Sequence, residues 1–136
     1  MQRFGLLVRC NPLMWDWDAE IPSDGSMVEV SWICRLKEGS VPLGTPLYVL
    51  GTHGIGIIAE GYTKSSIERK HGDEETWKEG HRDMSAIAPR IDITIRRNMA
   101  SLSDLREANL DYLIGRQNTF SWLTESETFA LENLLD

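Results

Sequence analysis

Few residues in this chain have types and spacings that could do chemistry. The three histidines, His53, His71 and His81, fall in separate polar stretches, and no CxxC or HExxH motif gathers ligands, so no metal centre or other cofactor is expected. His53, His71, Lys64 and Glu60 are the acid/base groups open to a small hydrolase, but nothing in their spacing requires them to act together. Cys10 and Cys34 read as reduced, buried thiols. The unusual stretch is Leu13-Met14-Trp15-Asp16-Trp17-Asp18. It is too polar for a core strand and too aromatic for an ordinary loop. The plain alternative for its two tryptophans is hydrophobic packing, since Trp is mostly buried.

At 136 residues, with 41% hydrophobic and 26% charged side chains, the chain is expected to form one domain over residues 1–136. A net charge of −7 argues against a binder that grips nucleic acid by charge alone, which needs a basic stripe. It leaves room for a small module whose specificity lies in one pocket. No apolar run approaches the roughly 18 residues of a membrane span. The first ten residues lack the apolar length and cleavage site of a signal peptide, and Gly5 is out of place for myristoylation, so a cytoplasmic protein is expected.

The elements that must position any site centre on two apolar runs, 47–50 and 55–59, separated by Gly51-Thr52-His53-Gly54. They read as a β-hairpin, entered through Pro46, with glycine supplying positive φ at the turn. Residues 4–8 form a first strand, which runs into the turn pair Asn11-Pro12. Residues 27–34 alternate with the strand period, so Trp32 shares a face with Val28 and Val30. The hydrophilic stretch 67–82 reads as a solvated loop anchored by Trp77, or as a loop that closes on a ligand. Residues 84–88 and 91–95 give further strands, with Pro89 at an edge or bulge between them. A short helix opens at a Ser103 cap, and 115–122 is a polar segment with two aromatics. Thr124-Glu125-Ser126-Glu127 is a capping box that leads a helix with Ala130, Leu131, Leu134 and Leu135 on one face.

In this order the elements resemble an EVE domain, of the PUA-like superfamily that also holds the SRA, YTH and ASCH domains. Three stretches carry the likeness. Asn11-Pro12-Leu13-Met14-Trp15-Asp16-Trp17 resembles the Asn-Pro-x-x-Trp signature. Trp32-Ile33-Cys34 and the hairpin that follows resemble the family's Trp, Cys, Pro-Gly turn and Gly-Ile-(Val/Ile)-Ala-x-Gly pattern. Arg116-Gln117-Asn118-Thr119 is similar to the Gln-Ser-Ser-Gly segment ahead of the last helix. Ile55 departs from an Arg found in many members, and Asn118-Thr119 replaces the Ser pair.

The resemblance implies an α+β fold, a small distorted PUA-like β-barrel with peripheral helices. It also implies a pocket for a modified nucleobase such as 5-methylcytosine or 5-hydroxymethylcytosine, flipped from DNA, or in YTH-like relatives methylated adenine in RNA, while ASCH-like relatives suggest a hydrolase of a small modified nucleoside. On that basis Trp15 and Trp32 are the expected stacking walls, with Trp17 beside them. Asn11, Asp16 and Gln117 are the first candidates for reading the base edge, with Ser31 and Asn118 nearby. For Asn11, turn formation before Pro12 is an equal alternative. Phosphate contacts would come from Arg35, Lys37, Lys64, Arg69, Lys70 and Arg116. The implied partner is modified nucleic acid, DNA ahead of RNA. With no nuclease motif in the chain, cleavage or translocation would fall to a nuclease or AAA+ partner rather than to catalysis here.

Overall fold

One long strand gives the sheet its frame. The computed structural model describes residues 4–37, 39–71 and 87–136. Its elements are β1 Gly5–Cys10, α1 Trp17–Glu20, β2 Val28–Ile33, β3 Pro46–Gly51, β4 Gly56–Thr63, β5 Glu68–Lys70, β6 Ala88–Ala100, α2 Leu102–Glu107, a 3-10 turn Asp111–Gly115, β7 Phe120–Leu123 and α3 Glu125–Leu135. The strands make one sheet in the order β2-β6-β4-β3-β1-β7, with β5 paired to the start of β6. Every pairing is antiparallel except that of β1 with β3. This is an α+β fold with a mostly antiparallel seven-stranded sheet and few helices. None of the helices among the described residues is long and apolar enough to cross a membrane.

Strand alternation divides the core in two. Leu6, Val8, Val30, Trp32, Val49, Ile91, Ile93 and Ile95 fill one face, with Trp15 and Ile21 packed among them. Leu7, Tyr48, Leu50 and Ile57 face the other way, onto Leu105, Leu113, Leu131 and Leu135 of the helical side. In β4 the alternation breaks, because Ile57 belongs to the helical side while Ile58 and Ala59 both belong to the first face. The cause is a bulge, since Ile57 and Ala59 pair with Leu50 and Val49 on β3 and leave Ile58 without an opposite residue. A bulge adds twist and bends its strand. The same strand meets β6 unusually closely at Gly61, where an added Cβ would lie 1.8 Å from the Thr94 carbonyl oxygen.

The hairpin, the first strand, the face shared by Val28, Val30 and Trp32, and the Thr124 capping box are all found as expected. Other boundaries differ. Residues 91–95 belong to the 13-residue β6, which runs through Pro89. Pro89 is tolerated because it lies at the strand's first residues, opposite Arg69 of β5. The stretch beginning at Ile67 starts as a strand rather than a loop: Ile67 is buried and Lys70 forms an ion pair with Asp92. Residues 72–86, including Trp77, His81 and most of the strand expected at 84–88, lie outside the described residues. The cap of α2 is Ser101, not Ser103; its hydroxyl accepts from the Asp104 N–H while Asp104 accepts from the Ser101 N–H. Phe120–Leu123 is an edge strand on β1 where only a polar segment was expected.

Gly61→Ala is expected to lower stability by about 1–3 kcal/mol or more, because backbone rather than a flexible side chain must yield. Urea denaturation checks this, with Gly115→Ala, where the added Cβ meets open space, as the comparison.

Candidate functional site

β2 and β7 stand at opposite ends of the strand order, yet Trp32 and Ile33 of β2 and Phe120 of β7 line the same pocket. The sheet therefore curls until its two edges face each other. The pocket between them has a volume of about 540 Å³, within the ~300–1,000 Å³ usual for ligand sites. Its third wall comes from the end of β1 and the turn after it, Arg9 to Trp15.

That turn is built by Asn11. Its Oδ1 accepts from the Leu13 N–H at 3.0 Å, and its carbonyl accepts from Met14 and Trp15. Turn formation thus engages the side-chain oxygen, and what Asn11 can offer a ligand is its amide NH₂. Trp15 then drops into the core, only 2% exposed, against Trp32 at 4%. Their rings meet edge to face, centroids 4.8 Å apart at 60°. No planar group fits between them, since a sandwich needs roughly 7 Å, two carbon–carbon contact distances. The pair is one preformed wall, not a slot.

Trp17 and Asp16 do not line the pocket. Asp16 caps α1, its Oδ1 accepting from the Ala19 N–H at 3.4 Å. Trp17 packs on the core beneath Arg97, whose guanidinium carbon sits 5.1 Å from the ring centroid. Arg97 also holds Asp18 at 2.7 Å and donates to the Ile21 carbonyl, which straps α1 to β6. Ser31 alternates with Trp32 and points to the opposite face of β2, across from Asp92. Gln117 and Asn118 do line the pocket and are exposed at its rim.

Of the expected basic contacts, only Arg35 lines the pocket. Lys64 pairs with Glu29 and Lys70 with Asp92, while Lys37 and Arg69 are exposed elsewhere. Arg116 is a strut. It donates to the Trp122 carbonyl at 3.0 Å and to Glu127 at 2.7 Å, and thereby fixes the chain leading into Gln117 and Asn118. Arg9 carries no signal in the sequence, where it stands between the strand read over residues 4–8 and the turn pair Asn11-Pro12. Here it lines the pocket, with Met14, Leu36 and Thr119, and its Nη1 is 3.4 Å from the Gln117 carbonyl oxygen. None of the described lining residues is acidic, although Asp and Glu number 21 in the chain.

Cys10 and Cys34 are buried thiols outside any disulfide, and burial pushes the Cys34 thiol up. Among the described residues no group of His, Cys, Asp and Glu is arranged to hold a metal ion. Compared with protein-family models, curated proteins and solved structures, the chain has no match.

Glu127 ties the rim to α3. Burial alone would raise its carboxyl, but hydrogen bonds from the Tyr112 hydroxyl at 2.5 Å and the Thr124 N–H, with the Arg116 charge, outweigh burial and hold it below its ordinary 4.5. Burial and Glu127 together push Tyr112 up to about 12. A depressed carboxylate stabilises the fold above its unfolded value and stops doing so as pH falls through the folded one. Glu127→Gln is therefore expected to cost about 1–3 kcal/mol at pH 7. The gap from the native chain should close as pH drops below 4.5. Denaturation midpoints measured from pH 7 to pH 3 check both parts. Trp32→Ala is expected to cost about 3–5 kcal/mol for a buried aromatic, read in the same assay.

Proposed function

We propose that this chain is a reader of modified nucleobases, with a PUA-like distorted barrel, that takes a methylated or hydroxymethylated base flipped from DNA. It acts as a specificity module rather than an enzyme, with cleavage or translocation supplied by a nuclease or AAA+ partner. The observation that carries this is the composition of the pocket: a rigid indole wall, neutral amides at the rim, two arginines and no carboxylate among the described lining residues. That set suits a planar, hydrogen-bonding ligand joined to an anion. It lacks the facing acid and base that hydrolysis needs, and Glu60 and Lys64 are engaged by Arg96 and Glu29.

Flipping a base costs a few kcal/mol, and aromatic contact returns about 1–3 kcal/mol. One buried methyl adds only roughly 0.8 kcal/mol, about a fourfold preference. Stronger discrimination must come from groups reading the base edge, and the amides of Asn11, Gln117 and Asn118 are those at the pocket. Because Trp32 is core, its replacement would confound binding with unfolding. Gln117 and Asn118 are exposed and can be changed without that cost.

The test is binding to matched duplexes carrying cytosine, 5-methylcytosine, 5-hydroxymethylcytosine or N6-methyladenine, with Gln117→Ala and Asn118→Ala alongside. The expected result is preference for one modified duplex, weakened at least fivefold in one variant while its melting temperature is unchanged. Equal or absent binding to all four would end the duplex-DNA assignment, and methylated RNA and free nucleosides would be tried next.

A further inference from the structure

Beside the aromatic pocket lies a second recess of about 400 Å³, framed by Arg9, Asn11, Thr52, His53, Gln117 and Thr119. Arg9, Asn11, Gln117 and Thr119 belong to both, so the two are adjoining compartments of one depression. Their linings differ in kind. The first has indoles and aliphatic side chains; every side chain framing the second is polar, two can carry positive charge, and none is acidic.

Arg9 stands between the compartments. Its Nε is buried with no hydrogen-bond partner among the described residues, and its Nη1 has only the long 3.4 Å approach to Gln117. No ion pair engages it among the described residues, whereas Arg96, Arg97 and Arg116 each hold a carboxylate. The terminal nitrogens of the guanidinium are the ones a ligand can reach: Nη1 has only that long contact and Nη2 has no hydrogen bond among the described residues, and an oxyanion in the recess would satisfy them with charge-assisted hydrogen bonds. His53, which lines the same recess, holds φ of 61° next to Gly54 at 83°. Two positive φ values in succession are what a type I′ hairpin requires, and Asn-Gly would meet that need with less strain than His-Gly. The turn keeps an imidazole where an easier residue would serve the hairpin alone.

We propose that this recess is a phosphate subsite, in which Arg9 and His53 hold a phosphodiester flanking the base that enters the neighbouring pocket. The assignment of that base rests on the function proposed above; the anion chemistry does not. A polynucleotide phosphodiester and free phosphate share that chemistry, and the experiment separates them.

The test follows the Arg9 Nε–H and the Trp15 and Trp32 indole N–H signals by NMR in the intact chain. Inorganic phosphate, the modified nucleoside and a short modified oligonucleotide are added in turn. Phosphate and oligonucleotide are expected to shift the Arg9 signal, while the nucleoside shifts the indoles. Arg9→Gln should weaken oligonucleotide binding about tenfold or more and lower the slope of log affinity against log salt by about one. His53→Asn, which creates the favoured Asn-Gly turn and so keeps the fold, should weaken binding too. If the oligonucleotide moves the indoles but not Arg9, and both variants bind like the native chain, the subsite is wrong and the base reader stands. If phosphate moves Arg9 but no base moves the indoles, the subsite stands as a site for free phosphate and the base reader falls. If no signal moves, both fall.

Discussion

The close approach of β4 to β6 is the constraint on which the rest of this structure hangs. At Gly61 the two backbones come nearer than any side chain allows, and a few residues earlier Ile58 bulges out of register. Both devices act on one strand and bend the sheet in the middle of its strand order. The bend brings β2 round toward β7, and the space left between them is the pocket. A flat sheet of the same strands would hold Trp32 and Phe120 at opposite ends with nothing between them.

Charge is distributed to suit that geometry. The chain is acidic overall, and five of its described cations are engaged in ion pairs that brace it. Arg97 straps α1, Arg116 braces the rim against α3, Lys70 and Arg96 span neighbouring strands, and Lys64 reaches across β6 from the end of β4 to Glu29 of β2. Exposed pairs of this kind stabilise little. Those of Arg97 and Arg116, partly sheltered and joined to backbone carbonyls, fix where the pocket walls stand. Arg9 and Arg35 have no ion pair among the described residues, and both face the depression. Arg9 and Arg35 thus put local positive charge at the depression of a negative molecule, which favours a ligand with an anionic group at that point.

Much of this was legible in the sequence because local rules carried it. Strand period put Trp32 with Val28 and Val30, turn chemistry marked the hairpin and Asn11, and the Thr124 box announced α3. Trp15, Trp32, Asn11, Gln117 and Asn118 do meet at one pocket. What failed was adjacency in sequence taken for adjacency in space, and partners that lie far along the chain. Asp16 sits beside Trp15 in sequence, but a one-turn helix claims it as a cap. Ser31 adjoins Trp32, but a strand sends neighbours to opposite faces. Arg116 looks free in sequence because its partner Glu127 lies a strand and a cap away. Phe120–Leu123, at four residues, is too short to declare itself, and is held as a strand by the edge that β1 offers. Arg9 gave no signal at all, since its importance depends on where β7 runs.

The parallel pairing of β1 with β3, and the seam of β1 with β7, also bear on how the molecule comes into being. The walls of the depression come from the first and last parts of the chain, with more than half of its residues between Leu36 and Gln117. Such pairings close long loops before any contact rewards them, which puts chains of this topology among the slower folders. During synthesis, residues 9–36 leave the ribosome long before their counterparts exist. Trp15 and Trp32 can pack early, whereas the rim is completed only when Phe120 docks on Val8. Ligand competence therefore waits for residues 117–120, and a chain that can bind is one in which β1 and β7 have already met.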